Sequence, residues 1–199
     1  MFGMLLRVYG VACLVASCAT EPSSPSYTLP LQTPLAAWSC PRAGTVVEWE
    51  DSRGKHGTNH FEGADTDNPE VCKWKNKAGV ERRSWFLARD VEQEWLPDER
   101  TRFQEAMRAL LNGQAQVVSF IDRRDNQQVT HSWRIVGEES YAMSGAPVRA
   151  VRISVNTTTS SNGRSSGFTR WYDPERHLWL KTHDERSGVE RRVVAIDDP

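Results

Sequence analysis

From Thr45 to Ile196 the chain is cut by turn-forming clusters into short stretches of alternating apolar and polar residues. This rhythm restricts it to a sheet of short antiparallel strands. The stretches that read as strands are Thr45–Trp49, Thr58–Glu62, Glu70–Lys75, Val80–Arg89, Gln116–Asp122, Val129–Val136, Val148–Asn156, Phe168–Tyr172, His177–Lys181 and Val189–Ile196. Alternation is clearest where Val148, Ala150, Arg152 and Ser154 interleave with Arg149, Val151, Ile153 and Val155. Such strands bury one face and leave the other to water. Asp51-Ser52-Arg53-Gly54 and Asn76-Lys77-Ala78-Gly79 read as hairpin turns.

One segment breaks the period of two. Phe103, Ala106, Met107, Leu110 and Leu111 recur at spacings of three and four, with Pro97 and acids at the start and Asn112-Gly113 at the end. The spacing predicts a helix over about 98–112. The expected fold is mainly β: an antiparallel sheet, as a half-open barrel or a sandwich, with one α-helix. Residues 38–199 are enough for a single β-rich domain. Charge is balanced, with 25 basic against 26 acidic residues, and the two signs are interspersed. No basic stripe is present, which argues against a nucleic-acid partner.

The first residues follow a different logic. Arg7 is the only charged side chain before Glu21, and Val8–Ala16 is apolar but shorter than the roughly 20 residues a membrane-spanning helix needs. A basic residue, a short apolar run and then small residues is the order of a signal peptide. The run ends in Val15-Ala16-Ser17-Cys18, which resembles the lipobox of bacterial lipoproteins. Cys13 fits less well, because Gly10 occupies its aliphatic position. The resemblance implies that residues 1–17 are removed as a signal peptide, that Cys18 is acylated, and that the membrane is a partner through that lipid. It also implies that Ala19, where inner-membrane lipoproteins carry Asp, sends the chain to the periplasmic face of the outer membrane. Residues 18–37, rich in Pro, Ser and Thr, then read as an extended tether.

With Cys13 cleaved away and Cys18 acylated, Cys40 and Cys72 remain, in an oxidising compartment. A Cys40–Cys72 disulfide is expected. It would staple the start of the first strand to the third and contribute about 3–4 kcal/mol in the chain-entropy model.

The second half resembles the half-open β-barrels of outer-membrane lipoprotein carriers. The residues that carry the resemblance are Gly137-Glu138-Glu139 leading to Gly145-Ala146-Pro147-Val148, then Trp171-Tyr172-Asp173-Pro174-Glu175 and Leu178-Trp179-Leu180-Lys181. The single helix departs from those carriers, which have several.

No catalytic motif finds its context. Gly163-Arg164-Ser165-Ser166-Gly167 spells G-x-S-x-G, yet a polar run precedes Ser165 and a strand, not a helix, follows it. Ser52-Arg53-Gly54-Lys55 spells S-x-x-K with Gly54 in a turn, where a helix start is needed. His56 and His60 share strand parity, near Glu62, Asp65 and Asp67, but read as solvated strand residues, as do His177 and His183. No metal or cofactor is expected. The eight tryptophans are mostly core candidates. Trp171 and Trp179 flank one turn, with Arg170 and Lys181 beside them, and these four are the candidate ligand platform: aromatic faces for an acyl chain or sugar, cations for an anionic group. The expected role is non-enzymatic, a binding or scaffold module of the envelope with a protein, lipid or glycan partner. The alternatives are a carrier or sensor of lipid or glycan with an apolar cavity, and a hydrolase of envelope polymers.

Overall fold

The structure is a computed structural model that describes residues 35–92, 97–124, 127–143, 147–160 and 162–199. The expected signal peptide, Cys18, most of the expected tether and Trp95 lie outside the described residues. Among the described residues eleven strands form one antiparallel sheet. They are β1 (Val46–Asp51), β2 (His56–Ala64), β3 (Val71–Asn76), β4 (Glu81–Trp85), β5 (Arg89–Asp90), β6 (Val117–Arg124), β7 (Gln127–Tyr141), β8 (Val148–Thr159), β9 (Ser165–Asp173), β10 (Leu178–Asp184) and β11 (Glu190–Asp197). Among the described residues the single helix, α1, covers Pro97–Leu111. The order across the sheet is β5-β4-β3-β2-β1-β11-β10-β9-β8-β7-β6. The chain therefore enters at the middle, meanders out to β5, crosses through α1 and meanders back. β11 pairs with β1, with Val46 opposite Asp197.

The mainly β fold with one helix is as the sequence indicates, and the differences are local. The expected strand Val80–Arg89 is broken: Phe86 and Leu87 both have φ of 51°, so the chain turns there and resumes as β5. Phe86 is fully buried and its carbonyl accepts a bond from Trp179 Nε1 at 3.2 Å, which helps hold this uncommon backbone. Gly137, just past the end of the expected strand Val129–Val136, instead sits inside the long strand β7. There φ is 143° and the register against β8 slips between Ile135 and Gly137. A glycine allows that bulge, and the strand runs on to Tyr141. His177 is not a strand residue but closes the turn before β10, with φ of 58°.

The main core gathers Phe86, Phe103, Met107, Leu110, Leu111, Phe120, Trp133, Val151, Ile153, Val155 and Tyr172. The apolar face of α1, with Phe103, Met107, Leu110 and Leu111 all inaccessible, packs with the inward residues of β6 to β9. Leu35 and Trp38 join this core; Trp38 stacks on Tyr172 with ring centroids 5.8 Å apart. The Cys40–Cys72 disulfide is formed. Cys40 lies ahead of β1 rather than on it, so the bridge ties the entering chain to β3.

The two outermost strands, β5 and β6, are not paired by backbone bonds. Side chains join them. Arg89 of β5 forms an ion pair with Asp122 Oδ2 of β6, and His131 Nε2 of β7 lies 2.9 Å from the same oxygen. Thr157 of β8 completes the series, 3.2 Å from His131 Nδ1. Arg89, Asp122 and His131 are all buried. The sheet is therefore a curled, incompletely closed barrel whose seam is polar.

His177 gives a pH-dependent contribution. It is half-buried, hydrogen-bonded to the Tyr172 hydroxyl at 3.0 Å and edged by Trp38. Burial holds its pKa below the usual imidazole value, against the opposing pull of Asp173. As pH falls through about 6.5 the unfolded chain takes the proton first, so stability drops with falling pH. H177N tolerates the left-handed backbone and removes this group. The wild type should lose more melting temperature than H177N between pH 7.5 and 5.5; equal losses would refute the assignment.

Candidate functional site

Where α1 does not fill the curled sheet, a cavity of about 440 Å³ remains, within the range of small-molecule sites. Its walls come from β1, β2, β3, β10 and β11, and the turn at Leu87 and Ala88 with β5 closes one side. Three indoles shape it. Trp49 lies across Gly57, its cross-strand partner, where a Cβ would overlap the ring; the Arg191 guanidinium covers it at 4.4 Å. Trp74 is fixed by its Nε1–H donating to Ser84 Oγ at 3.2 Å. Trp179 is fixed by the Phe86 carbonyl.

The four residues of the expected platform do not form one cluster. Successive residues of a strand point to opposite faces. Arg170 shares the inward face of β9 with Phe168 and Tyr172, and Trp171 points outward. A bulge between Trp179 and Lys181 sets Trp179 opposite Tyr172 and Lys181 opposite Trp171. Trp179 and Arg170 therefore face inward together, with the Arg170 guanidinium 5.2 Å from the Trp179 ring centroid. Trp171 and Lys181 pair with each other: the ammonium stands 4.6 Å above the ring, and Trp171 Nε1 donates to Glu139. Lys181 still contributes to the cavity wall and is ion-paired with Glu190 at 2.8 Å.

The cavity is basic. Arg89, Arg170, Lys181, Arg191 and Arg192 line it, and Asp90 is the one carboxylate among the lining residues. Arg192 is ion-paired to Glu50 at 2.6 Å. Arg170 has no such partner among the described residues: its Nε and Nη1 are inaccessible and make no hydrogen bond. Burial pulls its pKa down to about 10, so it stays cationic at neutral pH. Trp49, Trp74 and Arg191 are cavity residues that sequence alternation could not single out, because a filled core and an open one have the same pattern.

The other sequence candidates lie apart. Ser165 is exposed at the start of β9, with a strand and no helix after it. Ser52 is in the β1–β2 turn and its Oγ accepts the Glu190 N–H at 3.1 Å. His56 and His60 are exposed on β2, and no group of three or more metal-ligating side chains occurs among the described residues. The Thr157–His131–Asp122 series has the composition of a nucleophile triad. Its carboxylate, however, is shared with Arg89, and none of the three lines the cavity. Among the described residues no helix is long and apolar enough to cross a membrane.

No family model and no curated protein sequence matches the chain. Among solved structures, the chain is similar to a candidate lipoprotein of Parabacteroides distasonis ATCC 8503, at 11% identity and a TM-score of 0.41 over 83% of this chain and 100% of that one. It is also similar to the hypothetical lipoprotein YmcC of Escherichia coli (K12), at 12% identity and a TM-score of 0.49 over 79% of this chain and 86% of that one.

Proposed function

We propose that the chain is a lipid-anchored lipoprotein of the cell envelope whose β-domain binds a small ligand. The anchor rests on Val15-Ala16-Ser17-Cys18, with Cys18 as the acylated residue and Ala19 directing the protein to the periplasmic face of the outer membrane. Several acyl chains hold a protein at a membrane stably where a single chain does not. The observation that carries the binding role is the aromatic, basic cavity walled by Trp49, Trp74 and Trp179. This favours the carrier or sensor alternative over a scaffold. A scaffold surface needs a contiguous apolar patch. Among the described residues the large exposed hydrophobics are Val80, before β4, and Val117, at the start of β6.

Native mass spectrometry of the full chain released from the envelope tests both parts. The expected result is a mass cut before Cys18 and raised by acyl groups, plus a further mass that leaves on denaturation. An unmodified cysteine would remove the anchor. A protein that carries no releasable mass, and gains none from envelope extract, would remove the binding role.

A further inference from the structure

The point of tension in the cavity is Arg170. A guanidinium taken out of water is costly unless a counter-charge or hydrogen bonds replace the water. Arg89, Lys181 and Arg192 each have a carboxylate, in Asp122, Glu190 and Glu50. Arg170 has ring faces instead: Trp133 at 5.2 Å, Phe168 at 5.1 Å and Trp179 at 5.2 Å from its guanidinium carbon. These faces offset part of the cost of burial but accept no N–H bond of ordinary strength. The side chain sits where the filled part of the barrel, with Trp133 and Tyr172, meets the open part, with Leu178 and Trp179.

We infer that the cavity takes a small acidic amphiphile, a carboxylate on an apolar body, with Arg170 as the anchor for the acid and the indoles of Trp179, Trp74 and Trp49 against the body. The inference rests on the reading of the cavity as a ligand site. One guanidinium with two inaccessible, unbonded nitrogens and no counter-ion among the described residues matches one negative charge, and a charge-assisted bond is the strong kind. Bound ligand would complete the site: the acid supplies the counter-charge, and the body displaces water from the aromatic wall. A neutral ligand would leave Arg170 as it stands, and a cationic one would add repulsion from every basic residue lining the cavity.

The test uses three molecules of one shape: 4-phenylbutyrate, its amide and 4-phenylbutylamine. Binding to the full chain in phosphatidylcholine nanodiscs is followed by calorimetry against empty discs. Octanoate and glucuronate, an acyl acid and a sugar acid, tell the two sources of carboxylate apart. The expected result is that phenylbutyrate binds at least tenfold more tightly than its amide, that the amine is weakest, and that octanoate exceeds glucuronate. In R170M the acid and the amide should bind alike. A wild-type ratio near one, which needs no variant, would overturn the anchor, as would R170M keeping the wild-type ratio. Glucuronate binding more tightly than octanoate would overturn the apolar body. If acid and amide bind equally, the ligand site survives without its charge preference; if none of the five binds, the ligand site itself fails.

Discussion

Asp122→Ala should destabilise the protein by about 3–5 kcal/mol, the usual cost of removing one partner from a buried ion pair. Few single changes outside the core should cost as much, because Asp122 serves two groups at once. Its Oδ2 meets Arg89 from the first half of the sheet and His131 from the second. Losing it leaves a buried guanidinium short of counter-charge and an imidazole short of a partner, and the two outermost strands lose a bridge that no backbone pairing replaces. Since most domains are stable by only about 5–15 kcal/mol, a loss of this size is visible in any urea titration. D122N, which keeps an acceptor of the same shape, should lose less. A loss in D122A below about 1 kcal/mol would mean that the seam is held by packing and not by charge.

Removing the disulfide should be nearly as costly. Cys40 and Cys72 are 32 residues apart in sequence, and opening a loop of that size returns about 3–4 kcal/mol of entropy to the unfolded chain. The effect should be the same for C40S, C72S and the double variant, because the bridge and not either side chain carries it. Both residues are otherwise small and buried. The prediction is checked by comparing oxidised wild type with the double variant in denaturant. A difference under 1 kcal/mol would show that the segment before β1 is held in the unfolded state too, or is not needed for folding.

The sequence made the elements legible but not their closure. α1 could be read because Phe103, Met107, Leu110 and Leu111 keep a period that no strand shares. The strands could be read from alternation, which is a local property. What alternation does not contain is where an extra residue flips it. The bulge at Leu180 sends Trp179 inward and Lys181 outward, although both are two positions apart on one strand. This is why a four-residue platform drawn from proximity in sequence divides into an inward pair and an outward pair. Likewise, Asp122 and His131 read as ordinary polar residues on strands. Only the approach of β5 to β6, which depends on the curl of the whole sheet, makes them a buried bridge to Arg89. Arg170 could be named from sequence as a cation beside tryptophans. That it has no counter-ion among the described residues is a fact about three strands together.

The pairing of β1 with β11 has a kinetic meaning. Val46 must wait for Asp197, which follows it by nearly the whole length of the domain, before the middle of the sheet can form. Contacts that distant in sequence form slowly, since the closure entropy is spent before the contact repays it. In a chain that emerges amino end first, the strands from β1 to β5 are complete while the central edge of β1 still has no neighbour. That edge is an open template for any other extended segment, including the β1 of a second copy. The last few residues to emerge therefore decide whether the sheet is sealed or swapped. Aggregation during folding should thus respond more sharply to changes in Glu190–Asp197 than their modest burial in the finished fold suggests.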